Sequence, residues 1–135
     1  HRASQRSARL TAMIVTVAVD TAGSAGTATG SADTATVRGW LEAVVLDYNA
    51  VAPATTDVTI TELDGAMRTL FTVANNATDS TYYPRASAVT LSAGAITNSG
   101  VPVFIETSRL RVSVAESNAL TPAVTVKLLI RTTSS

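Results

Sequence analysis

The chain has 135 residues, ten Lys+Arg against ten Asp+Glu, 46% hydrophobic residues and only 15% charged ones, which excludes a disordered tail and a nucleic-acid binder acting through net charge. It has no cysteine and a single histidine, His1, so disulfide scaffolds, zinc and iron–sulfur sites and thiol nucleophiles are excluded together. No run approaches the roughly 18 apolar residues of a membrane span, and the length is that of one domain.

Residues 1–9 read as a polar arm carrying Arg2, Arg6 and Arg9, and the rest of the chain, 10–135, as the folded domain. Without those arginines the domain is slightly acidic. Residues 10–20 alternate Met13, Val15, Val17 and Val19 against Leu10, Ala12, Ile14 and Ala18. A strand apolar on both faces belongs in the middle of a sheet or between layers. Residues 21–34 are small and punctuated by glycine, which predicts a long surface loop. Residues 35–48 form a second strong run, with Val37, Leu41, Ala43 and Val45 on one side and Trp40, Val44, Leu46 and Tyr48 on the other.

Pro53 lies in the segment that ends this run. Residues 57–63 and 66–73 bracket Asp64-Gly65, the pattern of a hairpin closed by a type I′ turn, whose central residues both need positive φ. Asn75-Asn76 marks another turn, 81–91 another strand and 92–100 a loop. Residues 101–106 and 109–115, either side of Thr107-Ser108, predict a second hairpin, and 123–131 the last strand. About eight antiparallel strands with no βαβ alternation predict an all-β fold, a single jelly-roll-like β-sandwich with an extended N-terminal arm.

The residues offer little chemistry. A copper brace built on an N-terminal histidine needs a second imidazole, and none exists. The only imidazole sits at the end of the polar arm, which leaves no Ser–His–Asp triad. Lys127, the sole lysine, alternates within a strand between Val126 and Leu128 and reads as a solvated charge. The carboxylates lie mostly at strand ends and turns, where they cap loops, and no calcium-loop spacing is present. The glycines of 23–30 lack the Gly-Lys-Ser/Thr ending of a phosphate cradle. Asn76-Ala77-Thr78 fits a glycosylation acceptor that carries almost no weight by itself. The expectation is a chain that is not an enzyme and holds no metal or cofactor.

Several stretches resemble a group of small virion proteins of tailed bacteriophages, the head decoration or cement proteins. They are Val37-Arg38-Gly39-Trp40-Leu41-Glu42-Ala43-Val44, Ala52-Pro53-Ala54-Thr55-Thr56-Asp57-Val58-Thr59-Ile60, Arg68-Thr69-Leu70-Phe71-Thr72, Tyr82-Tyr83-Pro84-Arg85, Val101-Pro102-Val103 and Arg109-Leu110-Arg111-Val112-Ser113-Val114-Ala115-Glu116-Ser117. They are structural stretches of strands and corners, not catalytic signatures, and they spread over residues 37–131.

The resemblance implies a structural protein on the outer surface of the capsid that binds the major capsid protein and stabilises contacts between capsomers. It implies a homo-oligomer, trimer or dimer, with no direct contact to nucleic acid or membrane. Arg2, Arg6 and Arg9 are then the partner-binding residues, a clasp that orders on shell carboxylates. A phage tail or neck component is the alternative within the same class. From another class comes a carbohydrate- or receptor-binding module, for which Trp40, Tyr48, Tyr82 and Tyr83 would supply the stacking platform.

Overall fold

A computed structural model describes residues 9–87, 92 and 100–134. The described residues hold ten strands and no helix. They are β1 (Arg9–Val19), β2 (Ala28–Asp33), β3 (Val37–Tyr48), β4 (Asp57–Glu62), β5 (Thr69–Val73), β6 (Ser80–Tyr82), β7 (Arg85–Ala86), β8 (Val101–Ser108), β9 (Leu110–Ser117) and β10 (Val124–Ser134).

The pairing is nested. β1 pairs with β10, β2 with β9, β3 with β8 and β4 with β5, all antiparallel. This long ladder is rolled up by two further pairings, β10 with β3 and β9 with β4. The result is a sheet ordered β1-β10-β3-β8-β7, with β6 also on β3, facing a sheet ordered β2-β9-β4-β5. That is the strand order of a jelly roll, and the two sheets make the expected β-sandwich.

The core lies between the sheets. Leu41, Val44, Leu46, Leu128 and Ile130 from the first sheet meet Val58, Ile60, Leu110, Val112 and Val114 from the second, all at most 1% exposed. Short β-branched and leucine side chains alternate in and out along β4 and β9, which is why those strands bury one face and leave the other open. The buried hydroxyls at the sandwich ends are bonded. Thr34 Oγ1 accepts from the Leu110 amide at 3.0 Å and Thr56 Oγ1 donates to the Pro53 carbonyl at 2.7 Å.

Several sequence expectations are corrected. Residues 21–34 are not one loop, because β2 occupies 28–33. Small side chains hide its period, yet they suit close approach: a Cβ on Gly30 would stand 1.9 Å from the Asp20 carbonyl oxygen. β1 is an edge strand, not a central one, and one of its faces is open, with Ile14 65% exposed. Residues 101–115 are not a hairpin, since β8 and β9 lie in different sheets and Arg109 alone links them. The run at 81–91 breaks at Tyr83-Pro84 into β6 and β7, and residues 88–91 lie outside the described set. So does the loop expected at 92–100, apart from its two ends.

The Asp64-Gly65 hairpin is present between β4 and β5, but its connection runs from Leu63 to Arg68. Its left-handed residues are Gly65 (φ 63°) and Met67 (φ 53°), with Asp64 not among them, so the turn is not type I′. β3 holds a further surprise. Leu41 opposes Ile130 while Ala43 and Val44 oppose Leu129 and Leu128, so Glu42 is an extra residue in the ladder. The bulge switches the inward phase, and Val37 and Leu41 share the core with Val44, Leu46 and Tyr48. The two apolar faces read from the sequence are partly one face.

Candidate interaction surface

The outer face of the first sheet carries the unusual surface. Alternation along β3 and β8 turns Trp40 and Phe104, which are register partners, away from the core. Their rings stand 4.9 Å apart at 54°, and the Arg38 guanidinium lies 5.5 Å from the Phe104 centroid. With Gly39 and Thr132 these residues line a depression of about 290 Å³. Gly39 (φ 143°) is required there, because a Cβ would meet the Arg131 carbonyl oxygen at 2.4 Å.

Beyond the β3 bulge the same face turns apolar. Ile14, Ala43, Val45, Thr81, Tyr83 and Leu129, with Lys127, line a second depression of about 200 Å³. Ile14 and Tyr83 are 65% and 64% exposed. Lys127 is exposed, as its alternation predicts. Between the two depressions Glu42 receives Arg85 at 3.7 Å and Arg131 at 3.5 Å.

Most carboxylates are already engaged. Asp33 pairs with Arg111 at 2.8 Å, Asp64 with Arg109 at 3.0 Å and Glu106 with Arg38 at 3.0 Å. The guanidinium bonds hold the Asp33 and Asp64 carboxyls below their ordinary range. Glu62 is the buried one, its side chain 5% exposed at the inward end of β4. Arg68 donates to it from its backbone amide, Nε and Nη2, at 3.0, 2.8 and 2.9 Å. Those bonds outweigh burial and lower its pKa. Arg68 Nη2 also donates to the Phe104 carbonyl at 2.6 Å, tying the β4–β5 connection to the other sheet. Asp57 and Asp79 accept from the backbone amides of Asn75 and Tyr48. Among the described residues no group of three or more metal-ligating side chains occurs.

The expected clasp is only partly in view. Arg2 and Arg6 lie outside the described residues, as does His1, whereas Arg9 opens β1 opposite Ser134. The acceptor pattern at Asn76 is occupied, since its Nδ2 donates to Tyr48 Oη at 3.2 Å and to the Thr78 carbonyl at 3.1 Å. Of the four aromatics proposed as a sugar platform, Tyr48 is buried and Tyr82 packs at 52° to Phe71. Trp40 tilts against Phe104, so its ring is not coplanar with its nearest aromatic neighbour. Sequence reasoning missed the Trp40–Phe104 pair because nothing local shows that positions 64 residues apart share a register.

Comparison with protein-family models, with characterised proteins and with solved structures found no match for this chain.

Proposed function

We propose that the chain is a non-enzymatic decoration protein that binds the outside of a tailed-phage head, contacts the major capsid protein and stabilises the joints between capsomers. The observation that supports this best is the outer face of the β1-β10-β3-β8 sheet. It combines the Trp40–Phe104 pair and the Ile14, Leu129 and Tyr83 depression with a Glu42 carboxylate that already meets Arg85 and Arg131, and with the exposed Lys127. Such a face suits burial against a protein. Aromatic and arginine side chains supply anchors, and paired charges need no partner from the other side. The jelly roll is an architecture shared by viral coat domains, which adds fold-level analogy only.

The other features favour contact over reaction. Most described carboxylates act as caps and arginine partners, and of the four candidate stacking aromatics only Tyr83 is widely exposed, which gives a sugar-stacking platform little support. The arm's Arg2 and Arg6, which precede Arg9 at the head of β1 in the sequence, are the positive charges offered to acidic shell side chains.

The test is add-back. Purified chain mixed with heads lacking it should co-sediment, saturate in proportion to the shell lattice and raise the temperature at which the heads release DNA. A Trp40→Ala, Ile14→Lys double variant that stays folded should bind at least about tenfold more weakly. Deleting residues 1–8 should weaken binding and leave the fold intact. Absence of binding by the unmodified chain overturns the proposal, and unchanged binding after the deletion removes the clasp from it.

A further inference from the structure

The sheet ends on β1, whose outer edge is unguarded among the described residues. Protein sheets protect their edges with charges, prolines, bulges or very short strands, because a row of unpaired amides and carbonyls recruits another strand. The other edges here follow that rule. β2 and β5 are short and their ladders carry register shifts, and β7 has two residues. β1 follows none of it. It has 11 residues, and from Leu10 through Val19 it contains no charge, no proline and no glycine. Its register on β10 runs from Arg9↔Ser134 to Val19↔Val124 without a shift. Among the described residues nothing pairs with its outer side.

We infer that this edge pairs with β1 of a second copy, antiparallel and about a two-fold axis, so that the two sheets continue into one. The sequence of the strand is complementary to itself in this sense only. Its midpoint is Ile14, so full-length pairing sets Ile14 opposite Ile14 of the second copy and Met13 opposite Val15. Ile14, 65% exposed in one copy, gains a β-branched cross-strand partner. Antiparallel pairing sets Arg9 opposite Val19 of the second copy at each end, whereas parallel pairing would set Arg9 beside Arg9. The contact is isologous and closes at two copies, which is how an unguarded edge avoids open-ended assembly.

The pairing also places both outer faces on the same side, with the Ile14, Leu129 and Tyr83 depressions flanking the axis. It does not depend on the capsid reading, because it is measured on the purified chain alone. Sedimentation equilibrium of the full chain should give a dimer that dissociates on dilution. Ile14→Lys sets two ammonium groups opposite each other at the axis and should raise the dimer dissociation constant about tenfold or more. Val51→Lys, an equally exposed apolar site on a distant turn, should leave it unchanged.

Hydrogen exchange on the unmodified chain gives a second reading that needs no variant. The β1 amides that do not bond to β10 should be protected at high concentration and lose protection on dilution. A monomer at all concentrations overturns the inference. If those amides are protected in a monomer, the edge is covered by the chain's own residues instead. A dimer that Ile14→Lys leaves equally tight overturns the location.

Discussion

At the scale of single residues, Glu62 is the group with most at stake. Its position at the inward end of β4 follows from alternation, and alternation alone would place an apolar side chain there. A carboxylate is stable at that place because Arg68 supplies three donors from the β4–β5 connection. Removing the arginine leaves a nearly buried charge unpaired. With Arg68 itself half-exposed, Arg68→Ala should cost about 1–3 kcal/mol in a urea titration.

The same pair sets a pH dependence. The folded carboxyl of Glu62 lies below its ordinary value of 4.5, so the stability it contributes is fully present above that value. It is lost as pH falls through the lower folded value. Asp33 and Asp64 are shifted in the same direction. Acid titrations of unfolding free energy should therefore show a shallower decline for Glu62→Gln than for the unmodified chain, not a flat one. Identical acid limbs would show that the pair does not bind differently to protons in the two states.

At the scale of elements, hydrophobic period and turn chemistry carried part of the fold. The long runs at 10–20, 35–48 and 123–131 are strands, and Asp64-Gly65 does lie between paired strands. What local pattern could not carry was every feature decided by a distant partner. Thr107-Ser108 reads like a hairpin turn, yet Ser108 is 2% exposed and its Oγ accepts from the Asp64 amide at the corner where the chain changes sheets. β2 has almost no large side chain, so its strand character comes from bonding to β9. The β3 bulge inverted half of an apolar face without leaving a mark in composition.

Gly39 is the element-scale test of this account. Its left-handed φ and the 2.4 Å approach to the Arg131 carbonyl let β3 pass close to β10 at the irregular end of its ladder with β8. Gly39→Ala should destabilise by about 1–3 kcal/mol, read as a lowered melting temperature. Gly65→Ala, with open space around its Cβ position and only a positive φ to strain it, should cost less. Equal losses would show that packing against β10 contributes nothing beyond backbone strain.

At the scale of the whole molecule, the two-layer jelly roll leaves, among the described residues, one broad outer face and one long unpaired edge in the same sheet. A chain without cysteine and with histidine only at His1 has mainly carboxylates and hydroxyls to work with. The strand order shows how those carboxylates are held: arginines on β3, β9 and β10 and in the connections meet acids on β2, β3, β4 and β8 and in the β4–β5 connection.

The most direct test of the decoration proposal is the number of copies of this chain per major capsid protein in purified virions, counted by quantitative mass spectrometry and located by cryo-electron microscopy. The account predicts a count comparable to that of the shell protein, with density on the outer surface of the head lattice. A count of a few to a few dozen confined to the tail or neck, or absence from the particle, would contradict it.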